Sequence, residues 1–293
     1  MEFILWLQSF STPLLDRIFA TITAFGDEEF FMVAGALVLW LVDKRTGFWA
    51  VFMVIVSAWL NGWLKDVFGV PRPDPAIVRI IRPEPGLSFP SGHAQNTTVF
   101  WGCLALGFRR PRFAGLAAGV VLLVALSRPY LGVHYPVDVV GGIFVGLLLL
   151  AAFLTVGRRA DLQGLPGKLG FAGQLACAVV LPLVLLLIFV GPDGIKLTGF
   201  LVGAAVGRVL ELHLVRQSVR GTIPQQVARA ILGLVVLFAL RTALKAIFPD
   251  LAFFHFLRYS AMALWGVFLA PWCFVALRLA GREDRRVPPA ITA

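Results

Sequence analysis

The chain is a succession of apolar stretches, most of them about the length a helix needs to cross a bilayer, separated by short charged or proline-rich connections. Inside hydrocarbon no water can satisfy the backbone, so each stretch must close its hydrogen bonds within itself, which a helix does. Spans are read at about 28–42, 48–64, 90–107, 113–127, 134–156, 172–190, 196–213, 227–247 and 257–279. That predicts an all-α, polytopic membrane helical bundle of about nine spans. Only 14% of the 293 residues are charged and 59% are hydrophobic, whereas a soluble domain carries about 25% charged residues.

The formal net charge is +10. Its basic residues fall in clusters between spans: Lys44 and Arg45; Arg109, Arg110 and Arg112; Arg158, Arg159 and Lys168; Arg216, Arg220 and Arg229; and the tail from Arg282 to Arg286. This alternation marks cytoplasmic loops and suits anionic lipid headgroups, and it argues against a nucleic-acid partner. An outside N-terminus and a cytoplasmic C-terminus follow. Cys103, Cys177 and Cys273 lie singly inside apolar stretches, the pattern of small packing residues rather than of a metal site or a disulfide scaffold.

Residues 1–27 lack the basic n-region and the small-residue cleavage site of a signal peptide. Leu5, Phe10, Leu14, Leu15, Ile18, Phe19 and Ile22 interleave with Gln8, Ser11, Asp16 and Arg17, which reads as an interfacial amphipathic helix broken near Pro13.

Chemistry-bearing residues gather at span ends. Lys65 closes one span, and a proline-rich loop carrying Arg72, Arg79 and Arg82 follows it. Pro90-Ser91-Gly92-His93 opens the next span, Arg128 ends another, and His134 precedes Asp138 by four residues. Antiparallel threading brings these ends to one membrane level. Cations with helix-terminal N–H groups form an anion site, most naturally for phosphate. His134 and Asp138 share a helix face, so the carboxylate can hold one ring nitrogen and leave the other free to attack, while His93 can protonate a leaving oxygen.

Taken together, Lys65 with Arg72-Pro73, Pro90-Ser91-Gly92-His93, and Ser127-Arg128 with His134 and Asp138 resemble the three-part signature of the type 2 phosphatidic acid phosphatase superfamily, over about residues 20 to 158. The resemblance implies His134 as nucleophile, Asp138 as its orienting partner, and His93 as general acid. Lys65, Arg72, Ser91, Gly92 and Arg128 would bind phosphate. It also implies catalysis without metal or cofactor.

The implied organisation is an amphipathic segment (1–27), a catalytic membrane core (28–158), further transmembrane helices (159–280) and a basic polar tail (281–293). The expected activity is hydrolysis of a membrane lipid phosphate or diphosphate, such as phosphatidate, phosphatidylglycerophosphate or undecaprenyl diphosphate, at the outer face of a bacterial cytoplasmic membrane. A second copy of the chain is a candidate partner. Alternatives are a lipid phosphotransferase using the same phosphohistidine, a sugar-phosphate phosphatase, and a non-enzymatic anion transporter. Arg208 and Glu211, three residues apart in the added spans, are expected to form a buried tie, with His213 interfacial.

Overall fold

The computed structural model describes residues 1–157 and 169–283. Arg158, Arg159, Lys168 and most of the expected tail lie outside the described residues. Among the described residues the chain is helical without strands. The order is α1 (Glu2–Gln8), α2 (Pro13–Thr23), α3 (Glu28–Leu37), α4 (Lys44–Phe68), α5 (Gly92–Phe108), α6 (Pro111–Tyr130), α7 (Pro136–Ala152), α8 (Phe171–Val184), α9 (Pro192–Leu210), α10 (Ile223–Ile247), α11 (Ala252–Leu264) and α12 (Ala270–Ala276).

Among the described residues six segments are long and apolar enough to cross a membrane: Lys44–Phe68, Pro111–Tyr130, Pro136–Thr155, Pro192–Val215, Ile223–Ile247 and Ala252–Ala276. The other three expected spans appear as shorter helices: α3, the 17-residue α5, and the segment Phe171–Leu187. The residues form two compact units, one of residues 1–34 and 56–151 and one of 35–55 and 152–293. These cut across the chain-order division at 158, because α4 contributes its first half to one unit and its second half to the other.

In the first unit α5 is the enclosed helix. Ala94, Gln95, Thr97, Thr98, Val99, Phe100, Cys103 and Leu104 are all buried. α7 shows why its sequence suits lipid: Val137, Val140, Phe144, Leu147 and Leu148 are exposed at helical spacing, whereas Asp138, Gly142 and Gly146 face inward. Proline prevents the segment 69–91 from continuing α4 as helix, yet side chains and backbone hold it in place. The Ser88 N–H donates to the Val70 carbonyl (2.8 Å) and the Ile81 N–H to that of Leu131 (3.1 Å).

The N-terminal segment is helical on both sides of a break before Pro13, with Thr12 capping α2. It grips the same loop. Gln8 Nε2 donates to the carbonyls of Arg79 (2.7 Å) and Tyr130 (3.0 Å), and Asp16 binds the Arg79 guanidinium (2.6 Å) and the Tyr130 hydroxyl (2.8 Å).

In the second unit α9 and α11 meet backbone to backbone. A Cβ on Gly203 would lie 2.2 Å from the Ser260 carbonyl oxygen, and Ser260 Oγ donates to the Gly199 carbonyl at 2.7 Å. Small residues four apart allow this approach where lipid offers no hydrophobic drive for helix association.

Arg229 departs from the reading that placed it in a cytoplasmic loop. It lies in α10, wholly buried, and donates to the carbonyls of Trp40, Ser218, Val219 and Arg220 at 3.2 to 3.4 Å. A guanidinium carries five fixed donors, so a ring of carbonyls can satisfy it without a carboxylate.

Glu211 is the tie expected from the sequence, with a different principal partner. Its carboxylate takes Lys44 Nζ (3.2 Å) and the Gln217 N–H (2.9 Å), and Arg208 Nη1 stands further off at 3.5 Å. His213 Nε2 instead meets Gln174 Oε1 at 3.0 Å. Breaking a buried pair costs about 3 to 5 kcal/mol when nothing replaces the lost partner, and less here, where Lys44 keeps Glu283 Oε2 at 2.7 Å. Glu211→Gln should therefore lower the thermal midpoint in detergent. Combining it with Lys44→Met should cost less than the two single losses added, and strictly additive losses in that cycle would refute the tie.

Candidate active site

The site lies within the first unit, on the ends of α4 to α7 and the loop between α4 and α5. Loop closure after α6 delivers His134. Gly132 turns the chain at φ +79°, and Pro136 then starts α7 two residues after the histidine. His134 is 1% exposed and Asp138 fully buried.

The tautomer of His134 follows from its neighbours. Its Nε2 lies 3.2 Å from Arg72 Nη1, and a guanidinium can only donate, so Nε2 presents its lone pair. Nδ1 then carries the proton and faces Ser88 Oγ at 3.2 Å and Asp138 Oδ2 at 3.4 Å. Ser88 in turn donates to Asp138 Oδ2 at 2.5 Å, and the Tyr135 N–H reaches the same oxygen at 2.7 Å. Burial, reinforced by the charges of Arg128, Arg72 and Lys65, keeps the ring neutral by moving its pKa well below the ordinary histidine value, against the upward pull of Asp138.

The cations converge on a carboxylate. Glu84 Oε1 is 2.5 Å from Arg128 Nη2 and 3.7 Å from His93 Nε2, and Oε2 is 3.6 Å from Arg72 Nη2. Lys65 lies within electrostatic range of Arg72, Glu84, Arg128 and Asp138. Arg128 is fully buried; its Nη1 donates to Thr23 Oγ1 at 2.6 Å, while its Nε has no acceptor among the described residues. Arg72 is braced by the carbonyls of Gly86 (3.1 Å), Pro85 (3.0 Å) and Val133 (2.9 Å). Beside Arg72 and Glu84 opens a cavity of about 330 Å³ lined by Pro73, Pro75, Ile80, Pro83, Gly132 and Val133.

His93 meets a second carboxylate, Asp27 Oδ1, at 2.9 Å, and Asp27 Oδ2 accepts from Arg82 at 2.8 Å. Ser91 departs in part from its expected role. Its N–H donates to the Asp138 carbonyl (2.9 Å) and its hydroxyl caps α5, so its backbone joins α5 to α7. Gly92 and His93 follow it in the first turn of α5, where backbone N–H groups have no partner within the helix. This start is held from α4: Asn61 donates to the Pro90 carbonyl (3.1 Å) and to Gln95 Oε1 (2.9 Å), and Gln95 donates to the Ser57 carbonyl (2.8 Å).

All eight expected residues, Lys65, Arg72, Ser91, Gly92, His93, Arg128, His134 and Asp138, thus surround one region. Arg79 does not join them and serves the N-terminal clamp. Glu84, Ser88 and Asp27 escape sequence reasoning. The one sequence signal they carry is polarity beside the motifs.

Burial alone would raise the pKa of both acids, yet Arg128, His93 and Arg72 hold Glu84 down to about 2, and His93 and Arg82 do the same for Asp27. A depressed folded pKa gives stability that is present above the unfolded carboxylate pKa and lost as pH falls through the folded value. The thermal midpoint of the wild type should therefore exceed that of Glu84→Gln at about pH 6, and the gap should narrow towards about pH 3. A gap independent of pH would show that the Glu84 charge contributes no stability.

Two family models match the chain: the PAP2 superfamily over residues 46–161, and the PAP2 superfamily phosphatase transmembrane extension over residues 195–282. Phosphatidylglycerophosphatase B of Bacillus subtilis is 32% identical over 150 residues, covering 47% of this chain and 72% of that protein. Lipid phosphate phosphatase delta of Arabidopsis thaliana is 30% identical over 178 residues, or 54% of this chain, which spans only 42% of the plant protein's length. A crystal structure of a transmembrane PAP2-type phosphatidylglycerolphosphate phosphatase from Bacillus subtilis matches with a TM-score of 0.46 at 27% identity, over 54% of this chain and 83% of that one. On the two family matches and the Bacillus relative, the chain belongs to the PAP2 superfamily.

Proposed function

We propose that the protein hydrolyses a membrane lipid phosphate or diphosphate through a phosphohistidine on His134. The observation that carries this reading is convergence: a lone pair on His134 Nε2 faces Arg72, and Arg72, Arg128 and His93 together enclose one anion-sized position, held here by Glu84. Lipid phosphates are the substrates named for the relatives, phosphatidylglycerophosphatase B and lipid phosphate phosphatase delta.

In the proposed reaction the phosphate oxygens take the place of the Glu84 carboxylate against Arg72, Arg128 and Lys65, with the N–H groups of Gly92 and His93. Such fixed donors act on charge as it develops, in a site where solvent screening is weak. His134 Nε2 attacks phosphorus while the Nδ1 proton stays with Ser88 and Asp138. The bond to the leaving oxygen breaks, and that oxygen takes the proton of His93. Neutral His93 then accepts a proton from water, whose oxygen attacks the phosphohistidine, and phosphate leaves with both histidines restored.

The lipid tail would remain between helices, since the site lies at helix ends. The exposed Arg109, Arg110 and Arg112 lie at the opposite ends of α5 and α6 from His93 and Arg128, which supports a non-cytoplasmic site in a bacterial inner membrane. In that arrangement α3, α5 and the segment Phe171–Leu187 complete a set of nine spans.

His134→Ala should abolish phosphate release from phosphatidate, and acid quenching of the wild type during turnover should trap labelled phosphate on His134. Label on another residue would remove the assignment. Turnover should persist in excess EDTA, because fixed cations and helix-end amides neutralise the phosphoryl charge; loss on chelation with recovery on magnesium is the opposing result. A long-chain lipid phosphate should give a higher kcat/KM than a water-soluble sugar phosphate, and the reverse order would favour a sugar-phosphate phosphatase.

A further inference from the structure

Asp27 stands immediately before α3. Its carboxylate places one oxygen 2.9 Å from His93 Nε2 and the other 2.8 Å from Arg82 Nη2. The neighbouring Gly26 lets the ring come this close. A Cβ there would lie 2.8 Å from His93 Cδ2 and 3.0 Å from both Thr97 Oγ1 and Val124 Cγ1. The ring is thus seated on the α2–α3 connection as well as on its own helix.

The surroundings of His93 oppose each other. Burial and Arg128, from α6, disfavour a positive charge on the ring, while Asp27 at 2.9 Å and Glu84, from the loop, at 3.7 Å favour it. On the proposed pathway phosphate takes the place of Glu84, so this second favourable contact is rearranged when the acid is needed. Asp27 lies outside the anion position, tethered by Arg82, and its carboxylate stays beside the ring until the proton is transferred. Nε2 bears one hydrogen and lies 2.9 Å from Asp27 Oδ1 and 3.7 Å from the Glu84 oxygen that marks the anion position, so that hydrogen turns from Asp27 to the departing oxygen as it is transferred.

We propose that Asp27 is the positioning residue of the acid step: it fixes the His93 ring and keeps it protonated until the leaving oxygen takes the Nε2 proton. The proposal rests on the phosphohistidine reading. The proton passes from His93 Nε2 to the leaving oxygen as the phosphorus–oxygen bond breaks and the bond from His134 Nε2 forms. His93 is left neutral, and Asp27 remains a carboxylate throughout. His93, through Asp27 and Arg82, thereby links the catalytic bundle to the N-terminal segment.

The test compares two leaving groups in detergent: phosphatidate, whose glycerol alkoxide must be protonated, and a nitrophenyl phosphate bearing an alkyl tail, whose phenolate leaves without help. General acid catalysis is worth about 10²- to 10⁴-fold. Asp27→Asn should lower kcat on phosphatidate by about 10- to 100-fold, within that range, and on the aryl phosphate by less than about threefold. Its activity on phosphatidate should also fall away at a lower pH on the basic side, because loss of the carboxylate destabilises the imidazolium. Asp27→Glu should restore most of both. Asp27→Asn combined with His93→Ala should be no slower than His93→Ala alone.

Equal losses on both substrates with an unchanged pH profile would overturn the proposal and leave Asp27 a structural residue. Wild-type protein that releases phosphate from neither substrate would instead overturn the phosphohistidine reading. The pairing is then decided by titrating ¹⁵N-labelled histidine, of which the chain has four. A His93 titration unchanged by Asp27→Asn rejects it, and one moved to lower pH upholds it. Should Asp27→Asn fail to fold, Arg82→Gln, which frees the carboxylate from its tether, should show the same leaving-group bias to a smaller degree, and equal effects on both substrates would count against the proposal.

Discussion

Buried positive charge beside a membrane-spanning bundle requires a counter-charge, and much of the first unit follows from supplying it. Arg128 is fully buried, and Arg72 and His93 stand close to the same point. Without an anion there, each cation would be desolvated against its neighbours. Glu84 fills that position, and it can do so because the loop is proline-rich and short of helical options. Pro83 and Pro85 flank the glutamate, and the carbonyls of Pro85 and Gly86 fix Arg72 opposite it. The loop therefore closes this cluster of cations, and Gln8, Asp16 and Asp27 of the N-terminal segment hold it in place.

The two histidines meet the same type of partner in different ways. Asp138 reaches His134 Nδ1 at 3.4 Å with Ser88 bridging, whereas Asp27 meets His93 Nε2 directly at 2.9 Å. On the proposed mechanism, a neutral nucleophile and a protonated acid, the distance and the interposed hydroxyl suit each ring to its part. The second unit handles buried charge without a vacant position: Arg229 takes carbonyls, and Glu211 takes Lys44 and a backbone N–H.

The helical class and the convergence of Lys65, Arg72, His93, Arg128, His134 and Asp138 were legible because both rest on spacing along the chain. Apolar length gives helices, and alternate helix direction brings span ends together. Span count was less legible. Residues 28–42 form a ten-residue helix and a wide terminal turn, and α5 is set inside the bundle by its polar contacts as much as by its apolar ones. Arg79 and Arg82 look alike in sequence, three residues apart in one loop, yet the first serves Asp16 and the second Asp27. Only the path of the loop distinguishes them.

Glu84, Ser88 and Asp27 were illegible for a related reason. A carboxylate in a polar loop, a serine before a proline motif and an aspartate before a helix each have an ordinary local use, as solvated charge, turn former and cap. What changes their meaning is the partner that tertiary structure brings to them, from α6, α7 and α5 respectively. The same logic limits Ser91. Its place in a phosphate-binding motif suggests a free N–H, but α7 approaches closely enough for the Asp138 carbonyl to take it. One residue thus joins α7 to α5: Asp138 steadies His134 through its side chain and the start of α5 through its backbone. His134 lies two residues before α7 and His93 in the first turn of α5, so this backbone hydrogen bond and the close approach of Gly142 to the Ser91 carbonyl tie the two histidines together, while Asn61 holds the same start from α4.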